Sequence, residues 1–321
     1  MIKIMIVGFG NVGQGFFELL NARRDELGID AVVTEIVDRR RGFIRNPGPE
    51  ILPDARAGRQ LGVKVDPEDI PRLITESDAN VVCEFTDLNI RDKGEPAFTY
   101  ITTAMRSGKH VITTNKGPVA FHYDELMELS RRYNVGFGFK GTVMAGTPSF
   151  NVLELLPGAH VEYFQGILNG TTNFILTKMH EGLSFNDALR LAQEMGYAEA
   201  DPSLDIDGVD PALKAIIISR VLGWRHSLDS MEVVGIRNIE MAGNGVVKLI
   251  AYADEKRAFV KPMVLDPADP MAHVNGNLNA IKFKLDTLGS LIIIGPGAGR
   301  VETAQAVLTD LMSIVRRYGL R

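Results

Sequence analysis

The sequence predicts an α/β protein, with a doubly wound parallel sheet in its first part and a second part of different character. Three observations carry this. A short apolar run, Ile4 to Val7, leads straight into Gly8-Phe-Gly10-Asn-Val-Gly13. β-rich runs then alternate with helix-like segments to about residue 136, the pattern of strand–helix–strand crossovers. Beyond that point the chain becomes small, glycine-rich and apolar, as in "KGTVMAGTPSFN" at 140–151.

The first strand, Ile4 to Val7, is apolar throughout, as a strand covered on both faces must be. The glycine turn lets the backbone approach a pyrophosphate and aims a helix N-terminus at its charge. The helix is expected over Gln14 to Arg24, with Phe16, Phe17, Leu19 and Leu20 as its apolar residues. A second strand, Ala31 to Val37, ends at Asp38. Strand, glycine turn, helix, strand and acid in this order form the Rossmann-type dinucleotide signature. Candidate cofactor-binding residues are therefore Gly8, Gly10, Asn11, Val12, Gly13 and Asp38. A carboxylate at Asp38 would bond the ribose 2′-hydroxyl of NAD. Arg39 and Arg40, followed by Arg41, could instead hold the 2′-phosphate of NADP or lie solvated in the loop. Both cofactors stay open.

Alternation continues with a strand over Asn80 to Phe85 and a helix over Ala97 to Ser107, closed by Gly108. A strand over His110 to Thr114 and a helix over Tyr123 to Tyr133 follow. Ligands on such sheets lie beyond the carboxyl ends of the strands, and Lys116, just after Thr114 and Asn115, falls at that edge.

In the second part, "GILNGTTNFILTKM" (166–179) sets polar residues between two apolar runs, and Ser184-Phe-Asn-Asp187 reads as a capping box opening a helix that Gly196 ends. Next comes "AEADPSLDIDGVDPALK" (198–214), with carboxylates at Glu199, Asp201, Asp205, Asp207 and Asp210 and then Lys214. A calcium loop fails on register. With Gly208 as the loop glycine, Lys214 stands where the bidentate glutamate belongs. Asp210-Pro211 reads as a helix N-cap followed by proline at the first helical position, which puts Lys214 one turn into the helix. Capping alone leaves Glu199, Asp205 and Lys214 unexplained. Asp201 and Asp207 read as solvated or turn-forming.

Composition sets the outer limits. Apolar residues make up 45% of the 321 and charged residues 23%, the balance of a globular protein. A net charge of −5 supplies no basic field for nucleic acid. The lone cysteine, Cys83, sits in an apolar run and reads as a small core residue. No apolar run reaches membrane-spanning length, and "MIKIMIVGFG" enters a strand and a turn rather than resembling a signal peptide. A soluble cytoplasmic protein is expected.

Several motifs in fixed order then carry a family resemblance: GFGNVG at 8–13, "SGKHVITTNKGPVA" (107–120), "GTVMAGTPSFN", "GILNGTTNFIL", "MGYAEADPSLDIDGVDPALK" (195–214) and "GPGAGRVETAQAVLTDL" (295–311). Over essentially its full length the chain resembles homoserine dehydrogenase, in the short form without a C-terminal regulatory domain. The resemblance implies reversible reduction of L-aspartate 4-semialdehyde to L-homoserine with NAD(P)H, and a homodimer. It implies a nucleotide-binding domain over 1–136 plus about 300–321, the last part a returning helix near Thr303 to Tyr318. It also implies a substrate and dimerisation domain over 137–299, an α+β unit on a mixed sheet. By the same resemblance Glu199 meets the substrate amino group, Asp205 lies near its hydroxyl, and Gly170 and Thr171 complete substrate binding. Asp210 and Lys214 form the catalytic acidic and basic pair, and Lys116 is the other catalytic lysine. Thr114, Asn115, Lys116 and Gly297 join the cofactor contacts.

Two positions depart from the family. Lys140 stands where many members place a glutamate that helps hold a monovalent cation, and an ammonium cannot ligate a metal, so no metal is expected. Its ammonium could fill the cation position against the carbonyls of the Val143 to Thr147 loop, or point to solvent. The segment "DLNIRDKGEPAFTY" (87–100) also differs from the usual strand end. Two other functions compete: a related amino-acid oxidoreductase such as an aspartate dehydrogenase-like enzyme, and a non-catalytic nucleotide-sensing homologue. The 195–214 motif opposes the first, and the presence of both Lys116 and Lys214 opposes the second.

Overall fold

The computed structural model describes residues 1–237, 239, 241 and 245–320. In chain order the first elements are β1 (Ile2–Val7), α1 (Asn11–Arg23), β2 (Ala31–Asp38), β3 (Gly42–Arg45), α2 (Leu52–Arg56), α3 (Ile70–Glu76), β4 (Val81–Glu84), α4 (Ala97–Arg106), β5 (His110–Thr113), α5 (Lys116–Arg132) and β6 (Phe137–Gly138). Then come β7 (Val161–Ile167), α6 (Gly170–His180), α7 (Phe185–Glu194), α8 (Ser203–Ile206), α9 (Val209–Val221), β8 (Glu232–Val233), β9 (Val246–Asp254), β10 (Ala258–Leu265), β11 (Leu278–Leu285), β12 (Gly289–Pro296) and α10 (Arg300–Tyr318). They divide into two compact units, Met1–Gly146 with Gly299–Arg321, and Thr147–Ala298.

The first unit holds a six-stranded sheet in the order β3-β2-β1-β4-β5-β6. All neighbours run parallel except β3, which pairs antiparallel with β2. Alternation along β1 splits the core by face. Ile4 and Ile6 join Phe16, Leu20, Val307 and Leu311 of α1 and α10. Met5 and Val7 join Ile74, Ile101 and Leu126 of α3, α4 and α5. Each such buried side chain contributes about 1.5–3 kcal/mol of transfer free energy. The strand order reverses direction between β1 and β4, so their carboxyl ends form the crevice where this architecture binds ligands. Cys83, on β4, is fully buried, as its apolar context predicts, and burial raises its thiol pKa.

Several boundaries differ from the sequence expectation. Helix α1 begins at Asn11, inside the glycine motif and three residues before Gln14, with Gly10 as its N-cap. Helix α5 begins at Lys116 rather than Tyr123, and a non-helical His122 divides it. Gly117 and Pro118 look like breakers in the sequence, but in a first turn the missing proline N–H has no helical partner to lose. Residues 137–146 group with the first unit because β6 extends its sheet beside β5.

The second unit holds a mixed sheet in the order β12-β11-β7-β9-β10-β8. Its pairings are antiparallel except β8 with β10. Helices α6 and α9 lie against it. Every residue of α9 from Pro211 to Ser219 is buried, and Lys214 is the one charged side chain in that stretch.

Candidate active site

In the first unit the glycine turn is shaped from both sides. Gly8 has φ +93°, and a Cβ there would lie 2.7 Å from the backbone of Phe85. A Cβ on Gly13 would lie 2.5 Å from the Gly8 carbonyl oxygen. Gly10 is the opposite case: a Cβ there meets nothing within 4 Å. The α1 N-terminus beside it has no side-chain cap and no acid in its first turn. An open cradle in front of unsatisfied helix N–H groups is what a dinucleotide pyrophosphate requires, so the residues fit a nicotinamide cofactor. Asn11 opens α1, and Val12 packs against the core.

Asp38 ties this turn to the end of β2. Its Oδ2 accepts from Phe9 N at 2.9 Å, and its Oδ1 accepts from Arg40 N at 2.9 Å, Arg41 N at 2.8 Å and the Arg41 guanidinium at 3.2 Å. Burial opposes its charge, but the bonds from Phe9 and Arg41 and the nearby guanidinium hold it below the ordinary carboxylate range. Most of its acceptor capacity is already engaged. Arg41 is buried and donates twice to Ala55 O, whereas Arg39 and Arg40 are exposed.

At the carboxyl ends of β4 and β5 a second group of side chains interlocks. Glu84 is 0% exposed. Its Oε1 accepts from Thr86 N at 2.7 Å and from the Thr86 hydroxyl, and its Oε2 accepts from Thr113 Oγ1 at 2.8 Å. Burial raises its pKa. Thr113 Oγ1 accepts from Asn115 N at 3.0 Å. Asn115 caps α5 by accepting from Gly117 N at 3.1 Å, and its Nδ2 donates to Thr86 O and Asp87 O. Lys116, half-buried, is the first residue of the helix so capped. The half-buried Thr114 connects Thr113 to Asn115. The divergent 87–100 segment closes against the same helix start, where Gly94 meets Gly117 and Pro118.

In the second unit the structure gathers the acidic stretch around Lys214. Lys214 is 7% exposed. Its Nζ lies 2.8 Å from Asp210 Oδ2 and donates to Leu168 O at 2.7 Å. Those two partners answer the desolvation of a buried lysine. Asn169 organises the acids. Its Oδ1 accepts from Thr172 N and so caps α6, and its Nδ2 donates to Asp205 Oδ1 at 2.6 Å and Asp210 Oδ2 at 2.8 Å. Burial, and then the neighbouring Asp210, raise the pKa of Asp205. Gly170 and Thr171 form the first turn of α6. A Cβ on Gly170 would lie 2.5 Å from Asn277 O, and the Thr171 hydroxyl donates to Tyr197 O at 2.7 Å.

Asp210 does not cap α9. The N-cap is Gly208, at φ +82°, and Asp210 sits inside the first turn. The left-handed glycine starts the helix two residues earlier than Asp210-Pro211 suggests, which frees the Asp210 carboxylate to face Asn169 and Lys214. Glu199 stands apart on an exposed loop, where its carbonyl accepts from Gln193 Nε2 at 3.1 Å. Asp201 accepts from Ser203 and forms a turn, and Asp207 pairs with Arg237. At Gly297 a Cβ would collide with the Asn279 side chain. Lys140 turns toward α10, where its Nζ donates to Ser313 Oγ at 3.1 Å and lies 3.6 Å from Asp310 Oδ1. Its side chain is only 14% exposed, which excludes the solvent-pointing alternative.

Two residues that matter here carry no role in the sequence reading: Asn169 and Glu84. Each left a signal, Asn169 as a capping residue between two apolar runs and Glu84 as an acid inside an apolar strand.

Comparison with known proteins identifies the family. Residues 8–139 match the family described as "Homoserine dehydrogenase, NAD binding domain", and residues 148–312 match the family described as "Homoserine dehydrogenase". A homoserine dehydrogenase of Sulfurisphaera tokodaii is 39% identical, covering 98% of this chain and 99% of its own. An NAD(+)-dependent homoserine dehydrogenase of Pseudomonas canavaninivorans is 38% identical, with 97% and 96% covered. The solved structure of a hyperthermophilic archaeal homoserine dehydrogenase in complex with NADPH is similar at a TM-score of 0.88 and 32% identity, covering 98% of both chains.

Proposed function

The chain belongs to the homoserine dehydrogenase family, and from that premise we propose how its own residues carry out the reaction. It is an NAD(P)-dependent oxidoreductase that interconverts L-aspartate 4-semialdehyde and L-homoserine. The observation that carries the residue assignment is the cluster of buried Asn169 and Lys214 with half-buried Asp205 and Asp210.

Reduced nicotinamide, when bound, supplies the hydride that converts the aldehyde carbon to an alcohol carbon. Charge then develops on the carbonyl oxygen, which needs a donor and finally a proton. Lys214 meets this need. Two of its three N–H groups face Leu168 O and Asp210, and the third serves the substrate oxygen. Asp210 is its counter-charge at 2.8 Å. Asp205, held by the same Asn169 amide, accepts from the substrate hydroxyl. Lys116 is the second catalytic cation, Glu199 pairs with the substrate ammonium, and Gly170 and Thr171 offer the N-terminus of α6. The Thr171 hydroxyl already serves Tyr197, so its contribution is a backbone N–H.

Gly8, Gly10, Asn11, Val12 and Gly13 hold the pyrophosphate, and Thr114, Asn115, Lys116 and Gly297 complete the cofactor contacts. Because Asp38 is engaged by its own turn, Arg39 and Arg40 are the groups left to read the ribose 2′ position. The enzyme works as a homodimer in the cytoplasm, on the route from aspartate to threonine, methionine and isoleucine. Supporting the dimer, the second unit leaves an apolar edge strand, β12, with Ile294 exposed, and a stacked Tyr163–Tyr252–Phe259 row on its sheet. No helix among the described residues is long and apolar enough to cross a membrane.

The test is to supply homoserine and aspartate separately with NAD⁺ and with NADP⁺ and follow reduced nicotinamide. Turnover with homoserine and none with aspartate is expected. The reverse would establish the aspartate dehydrogenase-like alternative, and no turnover with either would leave a nucleotide sensor.

A further inference from the structure

Glu84 is a fully buried carboxylate that no cation pairs with among the described residues, at the carboxyl end of β4 beside the crevice between β1 and β4. An anion is costly to bury without a counter-charge, and its hydrogen bonds must offset that cost. Those bonds form a closed ring. Glu84 takes the Thr86 N–H and hydroxyl on one oxygen and the Thr113 hydroxyl on the other. The Thr113 oxygen takes Asn115 N–H, and the Asn115 amide returns to Thr86 O. The same Asn115 side chain caps α5, whose first residue is Lys116.

We propose that Glu84 is a positioning residue, which through Thr113 and Asn115 fixes where Lys116 stands at the start of α5. This rests on the reading of Lys116 as catalytic. An acceptor-only carboxylate suits the ring because every neighbour facing it is a donor. A glutamine must turn an NH₂ toward Thr86 N–H or toward Thr113. Facing Thr113, it leaves the Thr113 hydroxyl proton without an acceptor. The ring then loosens without the core losing volume.

Glu84→Gln is expected to lower kcat by about 10-fold or more, with KM for homoserine within about threefold, because a displaced group near the reacting atoms affects the chemical step more than substrate binding. Thr113→Val is expected to do the same and Thr113→Ser to restore activity. The double variant should be no worse than the poorer single, since both act through one ring. A second readout needs no turnover: trace reductive methylation of Lys116, measured by peptide mass spectrometry against the exposed Lys64 in the same sample. Its relative rate should change by about threefold or more in Glu84→Gln and in Thr113→Val, because the amine stands elsewhere once the ring loosens. Unchanged Lys116 labelling in the folded variants, or losses that multiply in the double variant, would overturn the proposal. If Glu84→Gln does not fold, Thr113→Val decides. If Lys116→Ala turns over normally, the catalytic reading of Lys116 falls, while the labelling still judges whether Glu84 positions it.

Discussion

At the scale of single residues, the second unit keeps an arrangement that works against stability. Asp205 and Asp210 share one Asn169 amide, and burial with this like charge raises the pKa of Asp205. A carboxyl whose folded pKa is raised destabilises the fold above that pKa, and the penalty fades as pH falls toward its unfolded value. Asp205→Asn keeps an acceptor for Asn169 and removes the charge. It should raise Tm by about 1–4 °C at pH 8 and by less at pH 5, and thermal unfolding at the two pH values checks this, while homoserine turnover falls. Glu199 carries the opposite expectation, because it sits outside this cluster. Glu199→Ala should raise KM for homoserine by about 10-fold or more while kcat falls much less, as expected when an interaction common to ground and transition states is lost. A kcat defect at unchanged KM would refute its role.

At the scale of elements, the glycine turn separates folding from binding. Gly8 and Gly13 face backbone at 2.7 and 2.5 Å and cannot accept a side chain, whereas Gly10 faces open space. Gly10→Ala should therefore leave Tm unchanged and weaken NAD(P)H binding, by about 10-fold if the methyl meets the pyrophosphate. Fluorescence titration beside a melting curve checks both halves. The loop after β2 yields the cofactor prediction. With Asp38 held by Phe9, Arg40 and Arg41, replacing Arg39 and Arg40 together by alanine should weaken NADP more than NAD, by about 10-fold in relative Kd. Equal losses would mark both arginines as solvated loop residues. Boundaries were least legible at this scale. The start of α9 depends on the left-handed Gly208, which Asp210-Pro211 hides, and the start of α5 depends on a proline placed where helices tolerate it.

At the scale of the whole molecule, the first unit could be read from the sequence because its signals are local: an apolar strand, a glycine turn and an acid at the next strand end. The reactive cluster could be read only as a list of residues. Its geometry depends on Asn169, 41 residues before Asp210, which reaches two acids at once, and no spacing rule announces such a contact. Glu84 was visible as an acid in an apolar strand, but its meaning depends on Thr113, 29 residues away. What joins the two levels is the claim that Lys214, held by Asp210 and Leu168, donates to the substrate oxygen. Steady-state oxidation of homoserine by Lys214→Ala, with cofactor Kd measured on the same sample, tests it most directly. The expected result is kcat lower by about 10²-fold or more at unchanged cofactor Kd, the range for losing a positioned proton donor. Turnover near that of the wild type, in a variant that is folded and binds cofactor normally, would contradict it.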